Sequence, residues 1–301
     1  MISVIICTFN RDKYIYATLQ NVAQNAYPTD DYEIVLINNN STDTTEELCN
    51  KFKSEYQQVQ FRYFVEYEQG LSFARNRGIK ESKGDILAFL DDDAFVKPDY
   101  LVNIDNGFRE YPEAMAFGGR IIPQFESGEI PKWLCKWTYT WLSALDRGDN
   151  VNVFCGKDFP IGANMGVRKH AIDMCGTFNV SLGRNKKNLL AGEEKDFFYR
   201  LGQSNLKTYY FPNVVVEHVI PQSRTSSDYV ARMGEGVGMS EKIRCKSIGN
   251  KALAKRRLSE FVKWGATLLL WLWYCIEARP ACGNMLVLFR WNVSKSLFAN
   301  S

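Results

Sequence analysis

The sequence has few of the residues that mark several common classes of functional site. Only two of its 301 residues are histidine, and its eight cysteines form no C-x-x-C pair. Scattered cysteines in apolar contexts are typical of reduced core residues, so we expect neither a disulfide framework nor a zinc site. The formal net charge is only +3, which does not favour nucleic-acid binding.

Signals for secretion or membrane spanning are also weak. The chain opens on Ile2-Ser3-Val4-Ile5-Ile6, which lacks the basic flank, apolar length and cleavage site of a signal peptide. The uncharged run at 264–276 is shorter than the roughly 20 residues that span a bilayer. We therefore expect a cytoplasmic protein, at most peripheral on the inner face of the cytoplasmic membrane.

Three successive carboxylates, Asp91-Asp92-Asp93, directly follow the apolar run at 86–90. The run is typical of a buried strand, so its end would carry three charges whose repulsion and desolvation are costly without a partner. Mg²⁺ and Mn²⁺ prefer oxygen ligands and bind carboxylates together with substrate phosphates. The triplet predicts such a metal site, and an exposed acidic turn is the alternative.

The first hundred residues alternate between β-rich runs, at 2–7, 33–37, 61–64 and 86–90, and helix-like stretches. This alternation predicts an α/β fold with a mostly parallel central sheet flanked by helices. Polar clusters follow three of the runs, at residues 8–11, 38–43 and 91–93. Because ligands bind beyond the carboxyl ends of parallel strands, the three clusters predict one shared site.

Four motifs in this order resemble the signature of glycosyltransferase family 2. They are Cys7-Thr8-Phe9-Asn10-Arg11, Asn39-Asn40-Ser41-Thr42-Asp43, the segment 70–78 with Arg75 and Asn76, and Phe89-Leu90-Asp91-Asp92-Asp93. The resemblance implies the GT-A (Rossmann-like) fold, a nucleotide-diphosphate sugar donor and inversion at the anomeric carbon. It covers residues 1–225, divided into a nucleotide-sugar half (1–100) and an acceptor half (101–225).

The resemblance also implies roles for individual residues. It places the donor, with UDP as the expected nucleotide, beside Thr8, Asn10, Arg11, Asn38, Asn39, Arg75, Asn76, Asp91 and Asp92. Family members usually carry Asp at 38 or 39, and Asn removes a carboxylate acceptor for an imide N–H. A helix cap at 41–43 is the other interpretation of that segment.

The metal, Mn²⁺ or Mg²⁺, is assigned by the resemblance to Asp93, with Asp91 sharing the ion and Asp92 on the ribose. His218 would complete the metal site or touch the diphosphate, and a packed histidine is the alternative. Arg75 would reach the diphosphate or order the acidic loop.

The catalytic base is expected in an acidic pair. Relatives usually have Glu-Asp with the second residue as base, which maps onto Glu194 and leaves Glu193 and Asp196 as rivals. These carboxylates could instead favour a helix amino terminus.

Residues outside the motifs give weaker expectations. Trp133, Trp137 and Trp141 are four apart and would share one helix face, packed on the core or turned to a sugar. By resemblance, Gly162-Ala163-Asn164 lines the acceptor pocket.

The segment 226–301 is expected to be a basic, aromatic, helical region. Nine Lys/Arg against three Glu occur between Arg232 and Lys263. Trp264, Trp271, Trp273 and Tyr274 then suit a helix in the headgroup region of an anionic membrane, or one packed on the domain or a second subunit.

These features favour a metal-dependent, inverting glycosyltransferase acting on a glycan or lipid-linked glycan in cell-surface polysaccharide synthesis. The alternatives are a sugar-nucleotide nucleotidyltransferase and a non-catalytic sugar-nucleotide or glycan-binding protein. A nucleotidyltransferase would carry a Gly-rich loop after its first strand, and Thr8-Phe9-Asn10-Arg11 has no glycine.

Overall fold

The structure, a computed structural model, describes residues 1–156, 158–182 and 192–299. The chain forms two compact units. The first comprises Met1–Pro123, Ser143–Ser181 and Glu193–Val219, and the second holds the described residues of Gln124–Leu142, Leu182–Gly192 and Ile220–Ser301.

Four parallel strands begin the first unit. They are β1 (Ile2–Thr8), β2 (Tyr32–Asn38), β3 (Phe61–Val65) and β4 (Ile86–Asp91), and they lie in the order β3-β2-β1-β4. The connecting helices are α1 (Asp12–Ala23), α2 (Thr45–Glu55) and α3 (Leu71–Glu81). All four predicted strands are thus confirmed, with ends that differ by a residue.

The sheet continues with antiparallel strands. The further elements are β5 (Ala94–Val96), α4 (Tyr100–Glu110), β6 (Ala114–Phe125), β7 (Asn152–Val153), β8 (Asn164–Arg168), α5 (Lys169–Cys175), α6 (Glu193–Gln203) and β9 (Lys207–Ile220). After β4 the order is β8-β6-β9-β5, with β7 paired to β9. Parallel pairs join the first four strands, and the acidic triplet begins at the end of the last of them.

Both faces of the sheet are covered. Alternate residues of β4 enter separate cores, with Ala88 and Leu90 in one and Leu87 and Phe89 in the other. Because side chains of a strand point to opposite faces in turn, burial on both faces requires the near-continuous apolar run seen in the sequence. Residues that bind a ligand must therefore lie at the ends of the strands.

Three helices make up most of the second unit: α7 (Ser227–Ile248), α8 (Asn250–Ile276) and α9 (Pro280–Phe298). Gly234 and Gly238 bring α7 against α9, since a Cβ at either position would lie within 3 Å of an α9 carbonyl oxygen. None of the described helices is both long enough and apolar enough to cross a bilayer.

The prediction that three tryptophans share one helix face is wrong. Only a short 3-10 helix, Tyr139–Leu142, forms in this segment. The Thr138 hydroxyl accepts a hydrogen bond from Cys135 N at 2.9 Å, which closes a turn between Trp133 and Trp141. Trp133 is consequently buried, with its indole donating to Thr225 O, whereas Trp137 is 49% exposed.

Candidate active site

Residues from three motifs meet at one edge of the sheet. Thr8 ends β1 opposite Asn38 at the end of β2, and Cys7 lies opposite Asp91 at the end of β4. The parallel register therefore brings these polar residues together beyond the carboxyl ends of the strands, where α/β proteins bind ligands.

His218 is brought to the acidic triplet by strand pairing. β5 follows the triplet directly and pairs with β9, so that Ala94 lies opposite His218. His218 Nε2 lies 3.0 Å from Asp93 Oδ1 and 4.0 Å from Asp91 Oδ2. The imidazole and the Asp93 carboxylate are almost fully buried, whereas Asp91 is half-buried.

Asp91, Asp93 and His218 form a metal-binding arrangement. Their ligand atoms all lie within 4.8 Å of one another. Among the described residues, this is the one group of three His, Cys, Asp or Glu side chains close enough together to hold a metal ion. Two carboxylates and one imidazole suit Mn²⁺, and the carboxylates also suit Mg²⁺. Two carboxylates this close, of which Asp93 is buried, are stabilised by a cation, so the donor set fits the predicted metal.

Arg11 supplies part of the compensating charge. Its Nη2 lies 3.3 Å from Asp93 Oδ2 and its Nε lies 3.6 Å from Asp92 Oδ1. Burial and the neighbouring Asp93 nevertheless raise the pKa of Asp92 to about 7, against the opposing effect of Arg11. The cluster retains an excess of negative charge that a divalent cation would neutralise.

The loops after β1 and β2 are joined by hydrogen bonds. Asn10, at a positive φ of 52°, accepts from Thr42 N at 2.8 Å, and its own N–H donates to Ser41 Oγ at 3.0 Å. Asp43 Oδ1 accepts from Thr45 N at 3.1 Å at the start of α2. This bond closes a turn just before α2, whose N-cap residue, Thr44, makes no side-chain cap hydrogen bond, so the cap expected from the sequence does not form.

Asn38 and Asn39 make internal hydrogen bonds. Asn38 donates to the Tyr63 hydroxyl at 2.8 Å and accepts from Ser41 N at 2.9 Å. Asn39 donates to the carbonyls of Glu66 and Glu68, at 3.0 and 2.7 Å, and accepts from Gly70 N at 2.9 Å. An aspartate at 39 could not make the two donated bonds, which explains the amide here.

Arg75 forms ion pairs with both glutamates of the acidic pair. Its Nη1 lies 3.1 Å from Glu193 Oε1 and 3.1 Å from Glu194 Oε1, and the guanidinium is almost fully buried. Burial lowers the pKa of Arg75, but Glu194, Glu193 and then Asp91 raise it above its ordinary value. Asp91 of the metal-binding arrangement therefore also contributes to the electrostatic environment of Arg75.

Gly162 leaves room for this pairing. A Cβ at position 162 would lie 2.1 Å from Arg75 Nη2 and 2.4 Å from Glu194 Oε1. The expectation that Ala163 and Asn164 line an acceptor pocket is wrong, because both are fully buried. Asn164 instead donates to the carbonyls of Arg120 and Val214 and accepts from Tyr100.

The three candidate bases occupy different environments. Glu193 is buried, whereas the Glu194 side chain is 17% exposed. Asp196 Oδ2 lies 3.0 Å from Arg200 Nε, one turn further along α6. α6 begins at Glu193, so these carboxylates also occupy a helix amino terminus, as the alternative interpretation expected.

Asn76 also has a local function. Its side chain donates to Phe178 O and accepts from Phe178 N, both at 2.9 Å. The Phe178 ring lies 5.3 Å from the Arg75 guanidinium carbon, so Asn76 supports the surroundings of that group.

Comparison with known proteins agrees with this geometry. The family model described as Glycosyl transferase family 2 matches residues 3–175. The chain is 21% identical over 247 residues to a glucosyl-dolichyl phosphate glucuronosyltransferase from Haloferax volcanii, covering 80% of this chain and 76% of that protein. It is 30% identical over 140 residues to a poly(ribitol-phosphate) beta-N-acetylglucosaminyltransferase from Staphylococcus aureus, covering 44% and 42%.

The solved structure of a Pyrobaculum calidifontis mannosyltransferase, in complex with GDP-Man and Mn²⁺, has the same fold. Its TM-score is 0.66 at 16% sequence identity, with 99% of this chain and 87% of that chain covered. Fold and site together define a glycosyltransferase with the GT-A fold, as predicted. The chain belongs to glycosyltransferase family 2.

Proposed function

We propose that the protein transfers a sugar from a nucleotide-diphosphate donor to a glycan or lipid-linked glycan, with inversion and with Mn²⁺ or Mg²⁺. The observation that carries the proposal is the cluster of Asp91, Asp93 and His218 at the ligand-binding edge of the sheet. Acceptors named for the relatives, dolichyl phosphate and poly(ribitol phosphate), support a phosphate-linked carrier.

The metal would be held by Asp91, Asp93 and His218. When bound, it would neutralise the negative charge that develops on the departing diphosphate. Arg11 contributes a second positive charge, while its contacts with Asp92 and Asp93 hold the acidic loop in place.

The donor would lie along the edge formed by the ends of β1, β2 and β4. Thr8, Asn10 and Arg11 line the first strand end, and Asp92 would accept from the ribose. We propose UDP as the nucleotide. Asn39 would contribute by holding the loop at 66–70 and Asn38 by holding Ser41, with their remaining acceptor capacity available to the base.

Glu194 would be the catalytic base. Inverting transfer requires a carboxylate to take the proton of the acceptor hydroxyl as its oxygen attacks opposite the diphosphate. Glu194 is the more exposed of the pair and therefore the more accessible to an acceptor, which supports it over Glu193. Asp196 is the weakest candidate, because Arg200 holds its carboxylate.

Arg75 would act as a positioning residue. Its contacts hold both carboxylates in place, and a carboxylate in a fixed position is what a general base requires. This differs from the diphosphate contact implied by sequence resemblance. The buried guanidinium and the close Gly162 backbone support the positioning role.

We further propose that the protein is peripheral at the inner face of the cytoplasmic membrane. A phosphate-linked polyprenol acceptor resides in a bilayer, so the enzyme must work at its surface. The basic segment before residue 263 and the exposed apolar side chains of α8 support this proposal.

One assay tests the catalytic proposal against its alternatives. Purified protein is incubated with a labelled UDP-sugar, Mn²⁺ and a polyprenyl-phosphate-linked acceptor, and mass spectrometry separates hydrolysed donor from transferred sugar. Glycosylated acceptor plus UDP is the expected result. Formation of a sugar nucleotide from sugar phosphate and nucleoside triphosphate would identify a nucleotidyltransferase, and donor binding without turnover would identify a binding protein.

A further inference from the structure

α8 has an exposed face without any charged residue. Between positions 258 and 276, every residue of this helix that is classed as exposed is apolar. Among its large apolar side chains, the highest exposed fractions belong to Ile276 (80%), Val262 (76%), Leu269 (70%), Leu258 (69%) and Phe261 (67%). We call this surface the α8 apolar face.

These residues recur every three or four positions, so they lie along one side of the helix. With a rise of 1.5 Å per residue, the face is about 27 Å long. Phe298 of α9 extends it sideways, because its ring lies 6.2 Å from the Phe261 ring.

The opposite side of α8 packs against α9. Trp264 donates to Ser294 Oγ and Trp271 to Asn284 Oδ1, both at 2.9 Å, and Tyr274 is buried. The expectation that these three aromatics face the headgroups is therefore wrong. Of the four aromatic residues named from the sequence, Trp273 alone is exposed, at 57%.

The charged residues exposed on the same side of α8 are basic. Lys251 and Lys255 are exposed about two turns and one turn before Leu258, on the side that carries the apolar face. The carboxylate within α8, Glu260, is 1% exposed and is paired with Arg256 and Arg290. The exposed surface therefore runs from basic to apolar along the helix, without a carboxylate.

The size and chemistry of this surface favour a lipid bilayer over a protein partner. A helix face about 27 Å long and about 10 Å wide covers roughly 300 Å². A stable protein–protein interface needs about 800 Å² from each partner and several hydrogen bonds. A bilayer requires neither, and its anionic headgroups complement the lysines.

We propose that α8 lies in the surface of an anionic bilayer, with its apolar face in the acyl boundary and with Lys251 and Lys255 on lipid phosphates. This inference rests on the peripheral location proposed above and identifies the residues responsible. It is independent of the catalytic assignments, because vesicle binding is measured without donor or acceptor.

The test is co-sedimentation of the full chain with vesicles of phosphatidylcholine alone or with phosphatidylglycerol. We expect binding to the anionic vesicles that falls at high salt. Removing both lysines, in K251Q/K255Q, should weaken binding about fivefold for each charge. L269S/L272S should weaken it at least about tenfold, since each removes buried apolar area.

Ile130→Ser is the matched control, because Ile130 is 70% exposed, as is Leu269, but lies outside α8. It should bind as the wild type does. Unchanged melting temperatures would show that all variants fold. Equal vesicle binding by L269S/L272S and by the wild type would overturn the proposal. It would also be overturned if the wild type binds no vesicles and is a dimer, while L269S/L272S is a monomer.

Discussion

Arg75 Nη1 lies 3.1 Å from Glu194 Oε1, in a pocket where the guanidinium is almost fully buried. The same nitrogen lies 3.1 Å from Glu193 Oε1, so one arginine orients both members of the acidic pair. Leaving a buried charge without its partner is strongly destabilising. The first two predictions therefore concern the two ends of this contact.

Glu194→Gln should bind UDP and Mn²⁺ as the wild type does and lose at least about a hundredfold in kcat. Removal of a general base costs about 10²–10⁴ in rate, because the amide cannot accept the hydroxyl proton. Steady-state kinetics with isothermal titration of UDP measures both quantities. Asp196→Asn is the matched control and should retain near-wild-type kcat. A dead Glu193→Gln beside an active Glu194→Gln would move the assignment to Glu193.

Arg75→Lys should lower kcat while the KM for the donor stays within about twofold. Lysine keeps the charge but lacks the planar fork, so it holds the two carboxylates less well. A tenfold or larger rise in donor KM with unchanged kcat would instead favour the diphosphate contact implied by sequence resemblance. If Glu194→Gln is inactive while Arg75→Lys is normal in both constants, the base assignment stands and the positioning role is wrong.

Asn39→Asp should destabilise the protein by about 1–3 kcal/mol even without nucleotide. The carbonyls of Glu66 and Glu68 would lose their donor and face a carboxylate. Thermal unfolding of the ligand-free protein measures the change. Asn150→Asp, which alters an exposed asparagine, is the control. An unchanged melting temperature together with tighter UDP binding would show that residue 39 contacts the base instead.

The strand ends could be predicted because they depend on local sequence. A buried parallel strand must be apolar throughout, so the change from Leu90 to Asp91 marks both its end and the site. The nearness of His218 to Asp93 depends on the pairing of β5 with β9, which no local pattern encodes. Family resemblance supplied that assignment.

Other contacts could not be read from the chain. Arg75 and Glu193 are separated by 118 positions, and no spacing rule connects them. The four-residue spacing of Trp133, Trp137 and Trp141 predicted a helix, but the Thr138 turn satisfies the same sequence. Trp264 and Trp271 of α8 likewise contact α9, whereas Phe261 and Trp273 are exposed together with the aliphatic side chains.

The central claim is that the cluster of Asp91, Asp93 and His218 binds the metal on which donor binding and transfer depend. The most direct measurement compares wild type with Asp93→Ala in UDP-dependent thermal stabilisation and in sugar transfer, with Mn²⁺ or with EDTA. Exposed Asp30→Asn serves as the control carboxylate variant.

We expect UDP at 100 times its Kd to stabilise the wild type by about 2.7 kcal/mol with Mn²⁺. Asp93→Ala and wild type in EDTA should lose both this stabilisation and the transfer, while Asp30→Asn keeps both. Full transfer by wild type in EDTA, or by Asp93→Ala with Mn²⁺, would contradict the account.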